Sequence, residues 1–126
     1  MGRYAFFNTD VEYKFAFGVQ GSGDIQEFGG QDTTDYGNKR YEPRHKWTKE
    51  DKDDVLSEIR HLEDFYDFEK FYFQKYTKDL DGTYNIRRDF EKKYPYLDVH
   101  HYKYLLGLLI YHHLEYMTPL TVQYDL

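Results

Sequence analysis

Cysteine is absent from this 126-residue chain. Disulfides, thiolate nucleophiles and cysteine-ligated zinc or iron–sulfur centres are excluded together, because each needs a sulfur. Serine occurs at Ser22 and Ser57 alone, and neither stands in a Gly-x-Ser-x-Gly elbow, since residue 20 is Gln. Long apolar runs are also missing. The longest uncharged stretch falls within Tyr104 to Leu114 and contains two histidines, well short of the roughly 20 residues that span a bilayer. The opening run Met1-Gly2-Arg3-Tyr4-Ala5-Phe6-Phe7 is too short for a signal peptide, and Gly2 lacks the Ser or Thr at position 6 that N-myristoylation wants. The expectation is a soluble, intracellular, cytoplasmic protein with no membrane partner.

Alanine appears only at positions 5 and 16, while 15 Tyr, 10 Phe and 1 Trp supply much of the hydrophobic 40%. The core must therefore be built largely from rings. The same bias fits an A/T-rich genome, such as that of a large DNA virus or a protist. The balance of 17 basic against 23 acidic side chains gives a formal charge of −6, which argues against nucleic-acid binding by whole-surface attraction. The length suits one domain and excludes a multi-domain enzyme.

From Val11 to Val19, apolar residues alternate with Glu12, Lys14, Ala16 and Gly18, a period of two that predicts a half-buried strand. Arg3 to Phe7 pairs with it through Asn8-Thr9-Asp10, and Ile25 to Phe28 is expected to return as a third strand after Gly21-Ser22-Gly23-Asp24. Residues 29–46 show no periodicity and read as one long irregular loop. Thr48-Lys49-Glu50-Asp51 resembles a capping box and should open a helix whose apolar stripe runs from Val55 to Tyr76. A second helix is expected over Tyr84 to Tyr94, ended by Pro95, and a third over Asp98 to Met117. The third is apolar on most sides, so it should be the central buried one. The predicted fold is α+β: an N-terminal antiparallel hairpin or three-strand meander, then three helices, in a single domain spanning 1–126.

The chemistry-bearing patterns are few. Asp79-Leu80-Asp81-Gly82-Thr83 matches the core motif of haloacid-dehalogenase-type phosphotransferases, but that motif ends a buried strand in a far larger fold. Here it follows charged helical sequence and reads as a turn. The pairs His100-His101 and His112-His113 point about 100° apart within each pair, which does not chelate; no metal or cofactor is expected, and core-edge histidines bonded to Tyr hydroxyls are the default. Asn8, Glu12, Lys14 and Gln20 would form a polar floor on one strand face for a small molecule, with Glu12 as acid or base, Lys14 as an anion clamp, and His100 or His101 as proton shuttle. Residues 39–49 carry five cations opposed only by Glu42, interleaved with Tyr41, His45 and Trp47. Arg40, Tyr41, Arg44 and Trp47 are thus candidates for an interaction loop, toward an acidic protein or single-stranded nucleic acid, with folding onto the acidic helix that follows as the leading alternative.

Because no catalytic constellation outweighs its structural explanation, the leading expectation is a non-enzymatic interaction module. It would self-associate or bind another protein through aromatic surface and an exposed sheet edge. A small-molecule-binding protein or small enzyme is the alternative, with single-stranded nucleic-acid binding third.

Overall fold

The structure is a computed structural model that describes residues 4–7, 13–16, 25–34, 37, 43–62, 72, 75–95 and 99–125. Strands β1 (Tyr4–Phe7) and β2 (Tyr13–Ala16) form the expected antiparallel hairpin, with Ala5 opposite Phe15 and Phe7 opposite Tyr13. After them come β3 (Gln31–Asp32), β4 (Arg44–Trp47), a single 3-10 turn (Lys49–Asp51), helices α1 (Lys52–His61), α2 (Leu80–Lys93) and α3 (Val99–Tyr116), and a closing strand β5 (Leu120–Asp125). The class is α+β. The last helix is central and buried, as its all-round apolar pattern predicts.

The sheet is larger than the sequence reading anticipated. Among the described residues five strands lie in the order β2-β1-β5-β4-β3, with β5 between β1 and β4. Phe7 pairs with Val122, and Val122 with His45. Two corrections follow. The described residues of the stretch 29–46 include β3 and most of β4 where one irregular loop was expected; Gln31 pairs with Lys46 and Asp32 with His45, and Thr33 N–H donates to the Arg44 carbonyl at 3.1 Å. Residues 25–28 form a helical turn in place of a third strand, closed by Phe28 N–H donating to the Ile25 carbonyl at 3.3 Å.

Alternation divides the sheet into two faces. Phe7, His45, Trp47, Leu120, Val122 and Tyr124 are buried against the helices, while Arg44 is exposed and Lys46, Thr121 and Gln123 are half-buried on the opposite face. On the inner side α3 supplies an unbroken buried run from Tyr104 to Leu114. Gly107 is what lets the 25–28 turn dock on it: a Cβ there would stand 2.5 Å from Phe28 Cε1. Lys103 completes that contact, its ammonium bonding the Glu27 carboxylate and, at 3.3 Å, that of Glu58 on α1.

The predicted helix start is observed. Asp51 accepts the Thr48 backbone N–H at 2.8 Å and the Thr48 hydroxyl at 3.2 Å, so the 3-10 turn leads straight into α1. That helix extends to His61, and the remainder of the predicted stripe, 63–71, lies outside the described residues. Helix α2 begins four residues earlier than its apolar pattern suggests, at Leu80.

Candidate functional site

Asn8, Glu12, Gln20, Arg40 and Tyr41 lie outside the described residues. Lys14 and His100 are placed by backbone alone, in β2 opposite Phe6 and in the first turn of α3. His101 is half-buried and packs on α2, its ring 5.1 Å from that of Tyr94 and 6.4 Å from that of Phe90. Arg44 is exposed on β4, where its backbone N–H donates to the Thr34 hydroxyl at 3.0 Å.

Trp47 is fully buried, and its indole N–H donates to the Phe28 carbonyl at 3.1 Å. Its neighbour His45 bonds the Gly29 carbonyl at 2.5 Å through Nε2. Both rings therefore clamp the 25–30 segment to β4. Gly30 (φ +78°) sits so close beneath them that a Cβ would meet the indole at 2.8 Å. The tryptophan expected on an interaction loop is a core residue.

The densest meeting of polar groups is elsewhere, where the C-terminal half of α3 abuts the start of α2. Asp79 caps α2, accepting the Gly82 N–H at 2.9 Å and the Thr77 hydroxyl at 2.7 Å. The Asp79-x-Asp-Gly-Thr motif is thus a helix start in this chain. These bonds hold the Asp79 carboxyl below its usual range, the Gly82 N–H contributing most. Gly82 is required because a Cβ would fall 2.0 Å from the Thr77 carbonyl oxygen and 2.8 Å from His112 Nε2.

His112 is fully buried. Its Nε2 lies 3.0 Å from the Asp79 carbonyl, which can only accept, so Nε2 carries the proton. Nδ1 then accepts from the Tyr72 hydroxyl at 2.9 Å, and the Lys78 ammonium approaches that phenolic oxygen at 3.5 Å. Burial, reinforced by Lys78, lowers the His112 pKa and keeps the ring neutral. Burial likewise raises the Tyr72 phenol, with the Glu115 carboxylate adding to it. His113 donates through Nδ1 to the Leu109 carbonyl at 2.6 Å, and burial pushes its pKa down to about 4. Phe7 of β1 meets its ring edge-on at 4.6 Å, so the pair His112-His113 joins sheet and helices.

Around this centre, Glu115 bonds Lys52 at 2.9 Å and faces Lys78 at 3.8 Å. Burial opposes ionisation of Glu115, but the two lysines outweigh it and hold the carboxyl low. Tyr76 donates to Asp89 on α2 at 2.9 Å, and Lys75 faces the same carboxylate at 3.7 Å. Thr83 and Tyr116 hydroxyls stand 3.4 Å apart. Among the described residues no three His, Asp or Glu side chains converge as a metal ion would need, and no helix is long and apolar enough to cross a membrane.

Comparison with protein-family models, with curated proteins and with solved structures found no match. The pairing of Tyr72 with His112, 40 residues apart, left no signal in the sequence beyond the doubled histidine. The closeness of Gly82 to His112 left only a glycine inside what read as a turn.

Proposed function

We propose that this chain is a non-catalytic interaction module that associates with a second copy of itself by pairing β2 to β2 and extending the sheet. The observation that carries the reading is the strand order. β2 stands at one end of it, and among the described residues it pairs with β1 alone. A terminal strand offers backbone N–H and C=O groups as a template for another strand. Two of its four residues, Tyr13 and Phe15, are aromatics that favour strands. The opposite end, β3, is only two residues long, and Asp32 there turns the chain by accepting the Thr34 N–H at 2.9 Å. Short charged edges of that kind discourage pairing.

Two further observations support the module reading over the enzyme reading. Both ring nitrogens of His112 are consumed within the fold, so the central imidazole is committed to structure. Tyr84, the one exposed large hydrophobic residue among those described, offers a ring to a partner surface, while the sheet edge carries the proposal.

Light scattering coupled to size exclusion tests it. The expected mass is twice 15.4 kDa at high protein concentration, falling toward the monomer on dilution. Two copies each at −6 repel one another, so added salt should strengthen association until the charges are screened. A monomer at every concentration and salt would overturn the proposal.

A further inference from the structure

Two tyrosine hydroxyls beside the buried histidine each donate to a base, and their rings lie against one another. Tyr72 donates to His112 Nδ1 at 2.9 Å. Tyr76 donates to Asp89 Oδ2 at 2.9 Å. The two ring centroids are 6.0 Å apart with planes inclined by 25°, a stacked contact. We propose that Tyr76 and Tyr72 form a two-step site for one-electron oxidation, in which an oxidising equivalent delivered at Tyr76 comes to rest on Tyr72 while His112 holds the proton.

The chemistry asks for this arrangement. A phenol gives up an electron far more readily when its proton leaves in the same event, and a base already in its hydrogen bond takes that proton without any rearrangement. In the first step an outer-sphere one-electron oxidant removes an electron from Tyr76, and the hydroxyl proton passes to Asp89. In the second, Tyr76 recovers an electron from Tyr72 and its proton from Asp89, while the Tyr72 proton crosses to Nδ1 of His112. One electron has then left the protein, and one proton has moved from Tyr72 to His112. The oxidant is reduced by one electron, Tyr72 is a neutral radical and His112 an imidazolium.

Burial gives the sequence its direction. Tyr76 is half-buried and open to encounter, whereas Tyr72 is 1% exposed. A radical at Tyr72 is thus kept from solvent and from coupling with a tyrosyl on another molecule. Burial, the largest influence, and Lys78 oppose the imidazolium, while the bond to the Asp79 carbonyl and the Asp79 and Glu115 carboxylates favour it. Burial holds both phenols protonated throughout the physiological range, so each loses its proton only together with an electron. The cluster's saturation, which argues against substrate chemistry, is what a preassembled proton acceptor requires.

The test is flash oxidation of the full chain with photogenerated tris(bipyridine)ruthenium(III), the tyrosyl radical being followed by its absorption and electron paramagnetic resonance. A long-lived radical is expected in the unmodified protein. Tyr72→Phe, which removes one oxygen and keeps the ring, should abolish the long-lived component. Tyr76→Phe should delay its appearance, heavy water should slow it, and Tyr84→Phe should leave it unchanged. A second readout needs no variant: a radical trap added after the flash, with adducts mapped by peptide mass spectrometry, should label the half-buried Tyr76 and spare Tyr72. A long-lived signal that survives in natively folded Tyr72→Phe, or adducts that fall on Tyr84 in place of Tyr76, would overturn the proposal.

Discussion

Replacing Gly82 by alanine tests the packing at the candidate site, because two opposing effects there differ clearly in size. In an ordinary helix the change is favourable by up to about 1 kcal/mol, since glycine loses more backbone freedom on folding. At Gly82 the added Cβ would lie 2.0 Å from the Thr77 carbonyl oxygen and 2.8 Å from His112 Nε2. The first neighbour is backbone, tied in place by the Asp79 cap, and the second is a fully buried ring bonded at both nitrogens. Neither yields cheaply. Overpacking of this kind costs about 3 kcal/mol, the upper end of its usual range, which leaves a net loss of about 2 kcal/mol. For a domain of this size roughly 4 °C of Tm accompanies each kcal/mol, so Tm should fall by about 8 °C. Urea unfolding followed by circular dichroism should show a lower midpoint at an unchanged slope. A Gly82→Ala protein as stable as the parent, or more stable, would refute the close approach of α2 to His112.

The buried histidines set a pH dependence. Both have folded-state pKa values below the unfolded value, that of His113 down to about 4, so the unfolded chain binds more protons as pH falls; stability should be flat above about pH 6.5 and decline toward pH 4, by up to about 3 kcal/mol for His113 alone. Urea midpoints measured across that window should fall less steeply in His113→Gln. The single tryptophan, buried and bonded to Phe28, should emit at short wavelength and resist iodide quenching; red-shifted, readily quenched emission would contradict the placement of β4. Asp79→Ala should lower the urea midpoint through loss of the cap, and Asp79→Asn, which keeps an acceptor for Gly82, should recover most of that loss in the same unfolding assay.

The parts of the fold visible in the sequence are those whose signals are local. Alternation marked β2 and the Asn8-Thr9-Asp10 turn its partner β1, the Thr48 to Asp51 spacing marked the start of the first helix, and apolar residues on every side of Val99–Tyr116 marked the buried helix. What escaped depends on partners far along the chain. Leu120, Val122 and Tyr124 alternate with Thr121 and Gln123 as a strand should, yet the role of β5 as the strand joining β1 to β4 exists only once both neighbours are in place. β4 reads as a basic loop because Arg44 and Lys46 occupy its outer face, while His45 and Trp47 fill the inner one. Phe28 looks like a strand residue until Gly107 opens a place for its ring on α3. At the candidate site the doubled histidine was conspicuous, but Tyr72 and the helix start at Asp79 reach it from 40 and 33 residues earlier in the chain. No spacing along the chain encodes their convergence.

The proposed association depends on β2 as a working edge. Amide hydrogen exchange over Tyr13–Ala16, measured on one preparation at low and at high protein concentration, reads that edge without altering it. Pairing of two copies predicts protection that grows with concentration at these amides and stays constant across α3, whose exchange reports the fold itself. Exchange at β2 that is indifferent to concentration would contradict the proposed association.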